Sequence, residues 1–170
     1  MSNDLPTLHL ICGKIAAGKS RLASKLADEP STLLISEDAW LSQLYPEEIS
    51  NIDDYIRCSK RLRQVMGSHV GQILSSGVSV VLDFPANTVS IREWMKGISD
   101  AAGVRHELHF IDVPDELCKA RLKKRNESGN HEFSASEDDF DLITSYFMPP
   151  TPSESLNITL HTAISKSGLL

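Results

Sequence analysis

The stretch Leu8-His9-Leu10-Ile11-Cys12-Gly13-Lys14-Ile15-Ala16-Ala17-Gly18-Lys19-Ser20 decides how this chain is read. Its apolar first half has the length of one buried strand. It runs into G-x-x-x-x-G-K-S, and Arg21-Leu22-Ala23-Ser24-Lys25-Leu26-Ala27 follows with helical spacing. Consecutive backbone N–H groups chelate a triphosphate only where the main chain can approach it closely, and Gly13 and Gly18 give that room. The helix starting at Lys19 aims its unsatisfied amides and positive dipole end at the anion. Lys14, Ile15, Ala16 and Ala17 complete the cradle, and Arg21 follows in the first helical turn. Lys19 is placed to bridge the β- and γ-phosphates of ATP, and Ser20 to hold Mg²⁺ through its hydroxyl. A short motif alone can arise by chance, but a strand before it and an amphipathic helix after it set chance aside.

Outward from this stretch, apolar runs alternate with helical patterns. Thr32–Ser36 reads as a second strand, and Tyr45-Pro46 breaks the backbone after a charged and aromatic segment. The spacing predicts a long helix over 51–75, with Gly67 as a candidate bend, then a β-branched third strand from Val78 to Asp83. A helix over Ser90–Ala102, a strand over His106–Val113 and a helix from Asp115 to Arg125 come next, Pro114 opening the last. A polar loop over 126–131, a helix over Ser136–Phe147 and a last strand over Leu156–His161 complete the pattern. Strands separated by helices imply right-handed crossovers, hence an α/β fold of three layers with a mostly parallel five-stranded sheet. All 170 residues are expected to form one domain, with a small lid near 121–135 and a loose tail over 163–170.

Composition narrows the function. A formal charge of −6 argues against a surface built to coat duplex nucleic acid, although a local basic cluster can still meet a polyphosphate. No apolar stretch is long enough to span a bilayer, and Met1-Ser2-Asn3-Asp4 lacks the basic and apolar regions of a signal peptide. A cytoplasmic protein, monomeric or homodimeric and without membrane partners, is expected. Cys12, Cys58 and Cys118 are odd in number and far apart, so they read as reduced core residues rather than a disulfide framework or zinc site.

Asp38 falls just past the second strand, on the rim where parallel sheets bind ligands, and is placed to accept a proton from an attacking hydroxyl. On position alone it reads equally well as the cap of a following helix, with Glu37 merely solvated. Asp83 closes a strand where an acid commonly contacts Mg²⁺, the competing role being a turn or helix cap. Asn87 and Arg92 are weaker candidates for holding an acceptor, Arg92 competing with a solvated helix position. Arg121 and Arg125, four apart on one helix, share a face that can close over a triphosphate, unless they belong to a solvated basic face. Arg57, Arg61 and Arg63 offer a further anion contact. The six histidines show no spacing that makes a metal site.

With the phosphate loop, Ile35-Ser36-Glu37-Asp38-Ala39-Trp40, Val81-Leu82-Asp83 and Arg121–Asn126 in this order, the chain resembles the P-loop kinases labelled AAA-type ATP-binding domains. That group includes polynucleotide 5′-kinase, chloramphenicol phosphotransferase and zeta toxin, and the resemblance covers most of residues 7–160. It implies sheet order 2-3-1-4-5, Asp38 as general base, and Arg121 or Arg125 as the lid arginine on the nucleotide phosphates. It implies ATP and Mg²⁺ as the bound pair. Asp83 is followed by Phe84, so the acidic pair of a motor ATPase is absent. Leu41 stands where a polynucleotide kinase carries arginine, which makes a nucleic-acid acceptor unlike this chain and favours transfer of the ATP γ-phosphate to a small-molecule hydroxyl. A 5′-hydroxyl polynucleotide kinase and a nucleotide-binding regulator with slow hydrolysis are the alternatives. For the regulator reading, the N-K-x-D of guanine-nucleotide switches is absent.

Overall fold

A computed structural model describes residues 5–129 and 134–162. The expected tail over 163–170 and part of the expected lid lie outside the described residues. Five strands are formed: β1 (Thr7–Gly13), β2 (Thr32–Ser36), β3 (Ser79–Pro85), β4 (Arg105–Asp112) and β5 (Ile158–Thr162). They make one sheet in the order β2-β3-β1-β4-β5, every adjacent pair parallel. The sheet order implied by the resemblance is therefore the order observed.

The helices are α1 (Lys19–Ala27), α2 (Glu37–Leu44), α3 (Ile52–Ser75), α4 (Val89–Ala102), α5 (Asp115–Ser128) and α6 (Glu137–Ser145). Because parallel strands need crossovers, both faces of the sheet are covered, and its central strands are apolar on both sides. Leu8, Leu10, Cys12, Val80, Leu82 and Leu108 pack with Leu62, Met66, Val70 and Met95 of α3 and α4. On the other face, Ile11, Val81 and Ile111 meet Ala23 of α1, Cys118 and Leu122 of α5, and Phe140 of α6. Each fully buried aliphatic chain contributes about 1.5–3 kcal/mol through the water it no longer orders. All three cysteines are free and buried, as expected of core residues.

Several expectations are corrected. The helix that follows the second strand, α2, is short and begins directly at Glu37, which its weak periodicity does not show. Its cap is Ser36, whose side chain accepts from the Ala39 N–H, so Asp38 sits in the first turn rather than capping it. Helix α3 continues through Gly67, where an added Cβ would stand 3.2 Å from the Trp94 indole nitrogen. That glycine serves the close approach of α3 and α4. Strand β3 does not close on Asp83 but continues to Pro85.

Arg92 holds neither an acceptor nor water. It is fully buried, donates to the Ala86 and Met148 carbonyls, and forms a two-pronged pair with Glu154 at 2.7 and 2.9 Å. This guanidinium fastens α4 to the connector that follows α6. A buried charge persists only when it is paired and hydrogen-bonded in this way.

Candidate active site

β1 delivers the chain to the phosphate loop at Gly13, whose backbone is held on both sides by one side chain. Asn87 Nδ2 donates to the Gly13 carbonyl at 2.8 Å, and Asn87 Oδ1 accepts from the Gly13 N–H at 2.9 Å. Asn87 is thus a fastening for the loop, rather than an acceptor contact. A Cβ on Gly13 would meet the Ile111 carbonyl at 3.2 Å and Ala17 Cβ at 3.3 Å, which is why the position is glycine. Lys14 pairs with Asp115 at the start of α5. Ala16 (φ 59°) and Gly18 (φ 110°) take left-handed conformations, which turn successive N–H groups toward one concavity. For Ala16 that conformation is strained, and such strain concentrates at ligand-binding loops.

Ile15 and Ala17 pack beneath the loop. Lys19 opens α1, and its ammonium donates to the carbonyls of Gly13 and Lys14 at 2.8 Å each. Burial lowers its pKa, while the neighbouring charges of Asp83 and Asp38 raise it. The charges of Asp83 on β3 and of Asp38 after β2 thus both act on the loop lysine. Ser20 and Arg21 are exposed at the start of α1.

From α5, Arg121 Nη1 donates to the Ala17 carbonyl at 3.1 Å, which brings it onto the loop. Arg125, one turn on, is half-buried, and its Nε has no hydrogen-bond acceptor among the described residues. Burial lowers its pKa, and the Asp38 carboxylate opposes that shift. A buried guanidinium nitrogen without an acceptor costs about 1–3 kcal/mol, which an anionic ligand would relieve. An all-oxygen donor pair, the Ser20 hydroxyl and the Asp83 carboxylate, suits a hard cation such as Mg²⁺. The loop and arginines fit a nucleotide and these oxygens fit its metal.

The acid after β2 is half of a pair. The Tyr55 hydroxyl lies 2.9 Å from Glu37 Oε2 and 3.0 Å from Asp38 Oδ1. A phenol carries one proton and can donate to only one carboxylate, so the second contact needs a proton on a carboxyl. Glu37 is 1% exposed, and burial pushes its pKa up, while the Ser59 and Tyr55 hydroxyls beside it oppose that shift. The Ser59 hydroxyl donates to Glu37 Oε1, and the Tyr55 hydroxyl bridges the two carboxyl groups.

Glu37, read from the sequence as merely solvated, is the most buried acid here. Tyr55 and Ser59 went unremarked as site residues. Their spacing of four on α3 puts them on one face, but nothing local to α3 says that this face meets α2. The expected lid begins as the last turns of α5, and Asn126 Nδ2 donates to the Ala135 carbonyl at 2.7 Å.

A parallel sheet in this order, with a glycine loop after its first strand and helices on both faces, defines a P-loop domain of the kinase-like kind. The chain belongs to the AAA domain family AAA_33, which it matches over residues 8–150. The Arabidopsis thaliana protein KTI12 homolog is 30% identical over 127 residues, covering 72% of this chain and 41% of that protein. The chain thus spans about two fifths of that relative's length.

Solved structures give the same fold. A candidate kinase of Chloroflexus aurantiacus superposes with a TM-score of 0.72 at 22% identity, covering 95% of this chain and 86% of the other. Chaetomium thermophilum Kti12 in complex with ADP-AlF3 gives 0.70 at 14% identity, with 95% and 90% covered. The Mycobacterium tuberculosis APS kinase CysC, in complex with AMPPNP and APS, gives 0.61 at 17% identity, with 94% and 90% covered. At these identities the likeness is one of fold. No helix among the described residues is long and apolar enough to cross a membrane.

Proposed function

We propose that this chain is an ATP-dependent phosphotransferase acting on a hydroxyl of a small-molecule acceptor. The observation that carries the reading is Lys19 at the head of α1, whose ammonium closes the glycine loop on the Gly13 and Lys14 carbonyls, with Asp38 and Asp83 near enough for their charges to act on it. Backbone N–H groups of the loop beyond Gly13 cradle the phosphates, and Lys19 leaves its two carbonyl partners for the β- and γ-phosphates. Ser20 and Asp83 are the residues that would hold Mg²⁺, which when bound supplies charge neutralisation at the phosphates. The acceptor oxygen attacks the γ-phosphorus, the bond to the ADP oxygen breaks, and Asp38 takes the acceptor's proton. Arg121 and Arg125 offset charge on the group in transfer.

A small acceptor is favoured over a polynucleotide end by the net negative charge and by Leu41, which is fully buried where an end-binding arginine would be needed. One observation favours a second reading, hydrolysis without an acceptor. The Kti12 complex names ADP and aluminium fluoride, whereas the CysC complex names an acceptor, APS.

The test is ATP consumption across sugars, nucleosides, antibiotics, nucleotide sugars and 5′-hydroxyl oligonucleotides, for wild type, Lys19→Ala and Asp38→Asn. Acceptor-dependent turnover lost in both variants supports the phosphotransferase. Turnover insensitive to Asp38→Asn removes the base, and slow ATP loss that no acceptor accelerates moves the assignment to the regulator.

A further inference from the structure

Three histidines, successive ones 100 and 52 residues apart in sequence, meet on one face of the sheet. Parallel register pairs His9 with Glu107, Ile11 with His109, and Ile111 with His161. His9, His109 and His161 therefore step diagonally across β1, β4 and β5, on the side occupied by Ile11 and Ile111. His9 Nδ1 lies 3.1 Å from His109 Nε2, and Glu107 Oε2 lies 3.9 Å from His9 Nδ1. One ligand atom from each of His9, Glu107 and His109 falls within 4.8 Å of the others.

We propose that His9 Nδ1, His109 Nε2 and Glu107 Oε2 bind a divalent transition-metal ion, zinc foremost, with water in the fourth position. In a tetrahedral zinc site with bonds of about 2.0 Å, ligand atoms stand about 3.3 Å apart. The two nitrogens are already at that spacing, and small side-chain rotations bring in the carboxylate. Two imidazoles and one carboxylate form a donor set that zinc favours and that magnesium, with its demand for oxygen, does not.

The surroundings orient each donor. Thr159 Oγ1 donates to Glu107 Oε1 at 2.7 Å, which fixes the carboxylate and leaves Oε2 toward His9. His109 Nδ1 lies 3.0 Å from His161 Nε2. With Nε2 on the metal, the proton of His109 sits on Nδ1 and is donated to His161, the outer-shell arrangement that ligating histidines generally have. His9 and Glu107 keep side-chain exposures of 17% and 31%, which gives an ion a way in. His9 precedes Gly13 by four strand residues and His109 is level with Ile11, two before it, so the cluster stands about 7–13 Å from the phosphate loop. It is independent of the proposed chemistry.

The sequence shows no metal-ligand spacing among the histidines, because the ligands come from adjacent strands and only register brings them together. The test is zinc titration of chelator-treated full chain by calorimetry, with Co²⁺ absorption as a geometric readout. One zinc per chain is expected, with visible d–d bands of a tetrahedral Co²⁺ site. Glu107→Gln and His9→Gln should each weaken affinity at least 100-fold, and Thr159→Val about 10-fold. Lys19→Ala should bind zinc as wild type does. Circular dichroism of each variant checks folding, and the half-exposed positions His9 and Glu107 are chosen to leave the core intact. Absence of a stoichiometric complex at micromolar zinc, or equal affinity in wild type and both ligand variants, overturns the proposal.

Discussion

Tyr55 ties two adjacent acids together. Its hydroxyl touches both Glu37 and Asp38, so the buried acid and the proposed base share one phenol. Tyr55→Phe removes the donor that stabilises ionised Asp38, so the pKa of Asp38 rises. The acid limb of kcat/KM against pH should move to higher pH and kcat should fall about 10-fold. An unchanged profile would remove Tyr55 from the site. Arg92 and Glu154 form another pair, with a structural consequence. The Arg92 guanidinium beside Glu154 holds its carboxyl below the ordinary value of 4.5. A depressed carboxyl contributes stability that is present above about pH 4.5 and lost as pH falls through the folded value. Glu154→Ala strands a buried cation and should cost about 3–5 kcal/mol in urea unfolding at pH 7. It should also flatten the acid limb of stability, and an intact limb would show that other carboxylates govern it. Neither pair was legible from the chain. Tyr55 lies 17 residues from Asp38 and Arg92 lies 62 from Glu154, and no local pattern announces such partners.

At the scale of elements, the sequence was most readable where local spacing and tertiary role agree. Strands β1 to β4 and helices α1, α3, α4 and α5 stand within a few residues of the positions their apolar periods imply. The phosphate loop was legible because its glycines answer to backbone geometry. Helix α2 was not, since its start is set by the Ser36 side chain and its burial by α3. The proposed site divides along the same line: Lys19, Asp38, Asp83 and the α5 arginines are candidates that local position suggests, whereas Glu37 and Asn87 have contacts that only packing assigns. The two loop glycines differ in kind, and mutation separates them. Gly13→Ala drives a Cβ against the Ile111 carbonyl and Ala17, so it should cost about 1–3 kcal/mol and loosen the loop. Gly18→Ala meets open space but must keep φ near 110°, so its cost of about 1–2 kcal/mol is backbone strain. Thermal unfolding of the two variants without nucleotide should rank Gly13→Ala at or below Gly18→Ala. The reverse order by more than 1 kcal/mol would mean that backbone strain at Gly18 outweighs crowding at Gly13.

For the molecule as a whole, a nucleotide in the loop would add to the ties between the elements around it. The loop is fastened to β3 by Asn87 and to α5 by Lys14–Asp115 and Arg121, so a ligand that fills it braces the α5 side against β1. A ligand that binds only the folded chain adds about 2.7 kcal/mol at 100 times its Kd. For a domain of this size that corresponds to a rise in Tm of roughly 5–10 °C. ATP with Mg²⁺ should produce that rise in a single cooperative transition, since one core covers each face of one sheet. Lys19→Ala should abolish it by removing the cation that meets the β- and γ-phosphates. Asp38→Asn should keep it, because a base for the acceptor hydroxyl is not a phosphate ligand and loss of its negative charge eases binding of an anion. Measuring the shift beside turnover therefore divides holding the nucleotide from using it. A wild-type protein that does not respond to ATP would sink the phosphate-loop reading itself, and loss of the shift in Asp38→Asn would move that residue from the chemistry to the binding of the nucleotide.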